Sequence, residues 1–202
     1  MPESASFFDP EAIVSLIARR LKSSDDGLET CVDAIEAILG RRSIRKYEDR
    51  AVEPGKIDTL VRAGMAAPSA GNQRSWRFIV VTDREQLDRL AVATPYSGML
   101  THAPLAIVVC GDTTSAKYPE PYWVEDCSAA MENILVAAHA LGLGACWLGY
   151  HPRQERKDEA RRILGIQADL DTLGVASIGY PAEEKPPSDR HVEDYVRFDR
   201  WE

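Results

Sequence analysis

Apolar residues recur at helical spacing in the first third of the chain. Between Pro10 and Lys22, Ile13, Leu16, Ile17 and Leu21 fall on one stripe, which predicts a helix with Asp9 as N-cap and proline in the first turn. Ser23 to Gly27 reads as a turn or short linker. A second helical pattern runs from Cys31 to Leu39, with Val32, Ile35, Ile38 and Leu39 on its apolar face. Thr30 and Asp33 resemble a capping box, and Gly40 supplies a C-terminal stop. A third helix starts at Pro54, carries Ile57, Leu60, Val61 and Met65, and is ended by Pro68.

The period then changes. Trp76, Phe78 and Val80 alternate with their neighbours, which predicts a strand from Trp76 to Thr82. Asp83 caps a short helix that runs to Leu90. Leu105 to Cys110 is apolar almost without a break, as expected of a strand buried on both faces. Glu125 to Leu141 forms a long helix that is apolar on nearly all sides, so it belongs in a core or an interface. Gly142-Leu-Gly144 ends it. Ala145 to Gly149 reads as a strand, Arg153 to Leu164 as a helix, and Thr172 to Gly179 as the last strand. A tail rich in proline and charge follows to Glu202. Helices followed by β-α-β-α-β-α-β predict an α/β or α+β layered domain, with about four strands in a central sheet and helices on both faces. Residues 1–29 look like a helical appendage to a main domain spanning 30–202.

Composition narrows the picture. A chain of 202 residues, 45% of them hydrophobic, can build one domain with a substantial core. The net charge of -8 argues against nucleic acid or an anionic membrane as partner. No apolar run approaches the roughly 20 residues that cross a bilayer. Met1 to Asp9 lacks the basic start and apolar middle of a signal peptide, so a cytoplasmic protein is expected. Cys31, Cys110, Cys127 and Cys146 are scattered and form no CxxC pair. Reduced, buried thiols are the simplest reading. Cys127, His139, Cys146 and His151 match no zinc-ligand spacing, so no metal site is expected.

Two stretches carry candidate chemistry. Arg41-Arg42-Ser43-Ile44-Arg45-Lys46-Tyr47 is the most basic run in an acidic chain. Guanidinium groups bind phosphate in bidentate geometry, and a serine hydroxyl adds a donor. The same run also suits a solvated cluster pairing with Glu48 and Asp49. Ala67-Pro-Ser-Ala-Gly-Asn-Gln73 crowds small and polar residues just ahead of a strand, where a scaffold holds hydrogen-bonding groups rigid. No Gly-x-Ser-x-Gly elbow and no dinucleotide fingerprint occurs.

In order along the chain, these motifs resemble the FMN-dependent nitroreductase family. Arg41-Arg42-Ser43-Ile44-Arg45 is similar to its opening Arg-x-Ser-x-Arg/Lys. Ala67 to Gln73 is similar to its Pro-Ser-x-x-Asn loop, with Trp76 following. Glu125 to Asn133, running into Ala137 to Gly144, is similar to its central helix. Ile178-Gly-Tyr-Pro181 with Lys185-Pro and Arg190 is similar to its C-terminal signature. The resemblance spans about residues 30 to 192. It departs at Arg74-Ser75, where Gln-Pro is usual, and at Thr94 to His102, where larger relatives carry a substrate lid.

The resemblance implies an α+β fold with a central mixed β-sheet of about four strands flanked by helices, a homodimer, and FMN at the dimer interface. Arg41, Arg42, Ser43 and Arg45 would meet the flavin phosphate, ribityl chain and pyrimidine edge, with Arg45 stabilising the reduced flavin. Ser69 and Asn72 would reach the flavin of the other chain. Leu148 and Gly149 would lie near N5, and Arg190 would return to the phosphate. The implied activity passes hydride from NADH or NADPH through the flavin to a small acceptor, such as a nitroaromatic or quinone, by alternating binding at one site. A specialised flavin oxidase, a reductive dehalogenase, or a non-enzymatic flavin-binding module on the same fold are the alternatives.

Overall fold

A computed structural model describes residues 33–114, 117–186 and 188–201. The expected helix over 10–22, the appendage as a whole, Cys31 and Thr30 lie outside the described residues. Helix α1 spans Ala34–Gly40, and Asp33 is its N-cap, accepting from the Ile35 amide at 3.0 Å. The helix therefore begins later than its apolar pattern suggested, because Asp33 turns from a box partner into the cap itself. Helix α2 spans Pro54–Met65, with proline in its first turn, where the missing N–H costs nothing.

The sheet contains β1 (Trp76–Val81), β2 (Leu105–Asp112), β3 (Gly144–Gly149) and β4 (Leu170–Gly179), in the spatial order β1-β2-β4-β3. Helix α3 (Arg84–Ala91) links β1 to β2, α4 (Trp123–Ala140) links β2 to β3, and α5 (Gln154–Leu164) links β3 to β4. Asp83 caps α3 through the Gln86 amide, as its position predicted.

Every neighbouring pair of these strands is antiparallel, so the sheet is not the mixed one that the resemblance implied. The reason lies in the crossover. β2 and β3 do run in the same direction, but β4 inserts between them. A helical connection thus joins parallel strands that never pair. Parallel contact is confined to an isolated bridge between Ser43 and Ala145 at the β3 edge.

The alternation along β2 divides the core into two layers. Leu105, Ile107 and Val109 pack with Leu60 of α2 and with Met131 and Ile134 of α4. Ala106, Val108 and Cys110 pack on the other side with Leu87 and Leu90 of α3 and Ala160 and Ile163 of α5. Both faces of β2 are buried, which explains its unbroken apolar run. Ile134 is fully buried within the chain's own core. The apolar character of α4 is therefore consumed largely by its own chain. Gly64 of α2 marks the close approach: a Cβ there would meet the Phe78 ring at 3.0 Å and Ile134 at 3.1 Å.

The segment 94–102, where larger relatives carry a lid, is anchored in the core at Thr94, Ser97 and Leu100, while Tyr96, Thr101 and His102 are exposed. Ser97 and Leu100 are fully buried. Ser97 pairs its hydroxyl with that of Thr94, and a short 3₁₀ turn over Gly98–Thr101 closes the connection. Cys110, Cys127 and Cys146 are buried and unbridged.

Candidate functional site

The basic run lies along the outer edge of β3. The Ile44 amide donates to the Ala145 carbonyl at 3.0 Å, which fixes the segment beside the strand. Tyr47 locks its far end. The buried hydroxyl donates to the Ile44 carbonyl at 2.7 Å and meets the Ser177 hydroxyl at 2.8 Å. Burial raises its pKa well above the ordinary tyrosine value.

The arginines do not pair with Glu48 and Asp49, as a solvated cluster would. Arg41 contacts Glu132 of α4 at 3.2 Å. Arg42 folds over the end of α1, donating to the carbonyls of Leu39 at 2.9 Å and Arg41 at 2.8 Å, and to Pro186 at 3.0 Å. Arg45 is exposed, and its amide donates to Glu183 at 2.6 Å. That N–H, ahead of Lys185, holds the Glu183 carboxyl below the usual carboxylate range.

Lys185, within the C-terminal signature, joins the site although its sequence position does not mark it. Its ammonium donates to the Ser43 carbonyl and lies 3.3 Å from Glu183. A cleft of about 340 Å³ opens here, between Gly40, Arg41, Arg42 and Ile44 on one side and Pro181, Glu183, Glu184 and Lys185 on the other. His139 lines it, and burial followed by the charges of Arg41 and Arg42 lowers its pKa. Cations thus dominate the Arg41 side of this cleft. Arg190, by contrast, is exposed and makes no hydrogen bond or ion pair among the described residues.

The second half of the candidate site is the loop that enters β1. A 3₁₀ turn over Ala70–Asn72 carries Gly71 at φ 53°, Asn72 at φ 54°, and Arg74 follows at φ 52°. Left-handed backbone costs a non-glycine residue about 1–2 kcal/mol, and asparagine tolerates it best. Internal bonds offset part of this. Ser69 Oγ accepts from the Arg74 amide at 2.9 Å, and Asn72 Oδ1 accepts from Arg74 Nε at 3.0 Å. Asp126 of α4 accepts from the Ala70 amide at 2.8 Å, from Gln73 Nε2 at 2.7 Å and from the Ser75 hydroxyl at 2.8 Å. Asp126 lies within the Glu125 to Asn133 motif, but its anchoring role leaves no local trace, because the helix dipole alone accounts for an acidic residue near a helix start.

Leu148 and Gly149 end β3. Leu148 is buried and Gly149 exposed. The Gly149 carbonyl accepts from Arg156 at 2.8 Å, while Trp147 beside them is 37% exposed.

The strand register places these parts relative to one another. Trp76 pairs with Gly111, Gly111 with Asp171, and Gly149 with Gly174, so the loop and Gly149 share one end of the sheet. Gly144 pairs with Gly179 and Leu105 with Ile178, so the basic run sits at the other end. The loop lies at the β1 edge and the basic run at the β3 edge. At strand spacings of about 4.8 Å and rises of about 3.4 Å, the two lie roughly 30 Å apart across the sheet diagonal. Ser43 and Lys185 come together within one chain, as do Ser69 and Asn72. The two groups do not meet.

A model of the nitroreductase family matches this chain over residues 38–94 and 91–180. A relative from Archaeoglobus fulgidus is 45% identical over 172 residues, covering 84% of this chain and 99% of its own length. The chain belongs to the nitroreductase family. The relative's provisional name pairs NADH dehydrogenase with NAD(P)H nitroreductase. An FMN-dependent nitroreductase from Clostridium difficile superposes with a TM-score of 0.77 at 35% identity, covering 82% of this chain and 99% of that one. A nitroreductase, so named provisionally, from Desulfovibrio desulfuricans was solved in complex with FMN. It superposes with a TM-score of 0.71 at 34% identity, covering 82% and 95% of the two chains. Membership of this family makes the chain an oxidoreductase of α+β fold. Among the described residues, no helix is long and apolar enough to cross a membrane.

Proposed function

We propose that this nitroreductase-family protein is a cytoplasmic, homodimeric FMN enzyme that passes hydride from NADH or NADPH to a small acceptor, such as a nitroaromatic or quinone. The observation that carries the reading is the diagonal separation of the two halves of the site. A phosphate-binding group of cations and a polar loop lie on opposite sheet edges of one chain, so a second copy must bring its loop to the cations of the first.

The donor set suits FMN. Arg41, Arg42, Ser43 and Lys185 supply the cationic and hydroxyl donors that a terminal phosphate requires. Arg190 lies close enough in sequence to Lys185 to join them. Arg45, exposed beside the cleft, is the cation for the pyrimidine edge of the flavin, where reduction adds negative charge. The partner copy's loop contributes the equivalents of Ser69 and Asn72. The main chain at Leu148 and Gly149 faces the reactive centre. When bound, FMN supplies two-electron hydride chemistry at N5. The protein's own residues bind it, orient it and offer one face to nicotinamide and acceptor in turn. No nucleophilic side chain is required of the protein.

The surface supports a second copy. Ile35, Ile38 and Leu39 of α1 are 63%, 54% and 46% exposed, beside the outer face of α4. Tyr195, Phe198 and Trp201 stand exposed on the tail. Exposed apolar residues such as these suit an interaction surface.

The test is the absorption spectrum of the purified protein, with heat release and chromatography of the cofactor and light scattering on the same samples. A yellow dimer releasing FMN is expected, with steady NAD(P)H oxidation once an acceptor is added. FAD in place of FMN, no flavin uptake when FMN is supplied, or a folded monomer with its full flavin complement would overturn the reading.

A further inference from the structure

Asp126 is 3% exposed, yet its three hydrogen-bond partners are neutral donors. All three belong to the loop over 69–75. Oδ1 takes the Ala70 amide, and Oδ2 takes both the Gln73 side chain and the Ser75 hydroxyl. The internal bonds of the loop, from Arg74 to Ser69 and Asn72, tie the loop only to itself. Asp126 ties it to α4, and α4 is anchored in the core through Cys127, Ala130, Met131 and Ile134.

The hold extends further. Gln73 Oε1 accepts from the Lys117 amide at 3.2 Å, and the Lys117 ammonium donates to the Gly71 carbonyl at 2.7 Å. The Tyr118 hydroxyl closes over Gly71, 2.6 Å from where a Cβ would stand. One carboxylate therefore anchors the left-handed loop and, through Gln73, the segment that covers it.

We infer that Asp126 is a positioning residue for the cofactor: its carboxylate holds Ser69 and Asn72 in the arrangement in which they meet a flavin, and so sets flavin affinity. The inference rests on the FMN reading above. A carboxylate fits the task because it only accepts, and three donors converge on it. An amide cannot replace it without loss. If Asn at this position keeps its oxygen toward Ala70, its NH₂ faces the Gln73 NH₂. Gln73 must then flip, and the Lys117 amide loses its acceptor.

The experiment compares wild type, Asp126→Asn and Ser75→Ala as full chains. Each is titrated with FMN, followed by flavin fluorescence and visible circular dichroism. Amide exchange across 69–75 is measured on the cofactor-free proteins. Hydrogen bonds to a charged group set the expected scale, so Asp126→Asn weakens FMN binding about tenfold to a hundredfold. Ser75→Ala weakens it by a smaller factor, and both variants speed exchange at Ala70 and its neighbours. A carboxylate with only a structural role would lower the melting temperature while leaving FMN affinity and the dichroism of bound flavin unchanged; that result overturns the inference. If Asp126→Asn does not fold, Ser75→Ala decides, with unchanged affinity and exchange counting against. Wild type that takes up no FMN overturns the flavin reading and the cofactor role of Asp126 together. The exchange data then still report whether the carboxylate holds the loop.

Discussion

The basic run at the β3 edge and the polar loop at the β1 edge are held in different ways. The run over 41–47 is fixed by main-chain pairing to Ala145 and by the buried Tyr47, whose hydroxyl reaches both Ile44 and Ser177. Arg41 and Arg42 add contacts to Glu132, Leu39 and Pro186, and Arg45 is exposed. The loop over 69–75 meets a strand only at its last residue, where the Asp112 amide of β2 donates to the Ser75 carbonyl at 2.8 Å. The loop's left-handed conformations are held by its own side chains, by one carboxylate from α4 and by Lys117. Damage to the first region should therefore spread through the whole domain. Damage to the second should stay local.

The largest effect is expected at Tyr47. Replacing it with alanine empties a buried aromatic site and frees the Ile44 carbonyl, at a cost of about 3–5 kcal/mol. Urea denaturation should show a lower midpoint for the whole domain, with a single transition. A wild-type midpoint accompanied by local exchange at 41–47 would erase the contrast between the two regions.

A smaller effect is expected at Gly71→Ala. The backbone at φ 53° disfavours a side chain, and the added Cβ meets the Tyr118 hydroxyl. Left-handed alanine costs about 1–2 kcal/mol. Tyr118 is 42% exposed and can swing away, so the strain is relieved by the loop alone. Amide exchange should quicken over 69–75 while β2 and β4 keep their protection. Equal loss of protection in the central strands would show that the loop is tied to global unfolding, contrary to this comparison.

The smallest effect is electrostatic and tests the basic edge. Burial, then Arg41 and Arg42, lowers the pKa of His139 below its ordinary value of 6.5. A histidine whose folded pKa is depressed costs stability as pH falls: the unfolded chain takes up the proton at its ordinary pKa, while the folded chain resists until lower pH. Arg41→Ala should raise the His139 pKa, as read by NMR titration of the imidazole. The stability lost between pH 7 and pH 5 should shrink accordingly. An unmoved His139 would mean that burial alone sets its titration and that the charge of Arg41 is spent on Glu132.

Much of the fold was legible from residue order. Asp83 and its helix, the unbroken strand at Leu105, and the glycine stop after the long helix all appear where local pattern placed them. The basic run and the polar loop were legible as candidates too, because arginines beside a serine suit an anion and small polar residues ahead of a strand suit a held binding loop. Lys185 and Asp126 were not. Lys185 acts through a carbonyl 142 residues away, and Asp126 through donors on a loop that precedes it by two secondary-structure elements of the sheet layer.

By itself the sequence determined the periods: which stretches are helices, which are strands, and which faces must be buried. Those are set by interactions with water and with near neighbours, and each leaves a local trace. The tertiary structure decided the rest. The insertion of β4 between β2 and β3, the placement of the two candidate regions at opposite corners of the sheet, and the choice of Asp126 as anchor all depend on pairings between distant segments. Hydrophobic pattern records that a face is covered. It does not record by what, because burial is non-directional, whereas strand pairing and buried hydrogen bonds are specific to partners that only the folded chain brings together.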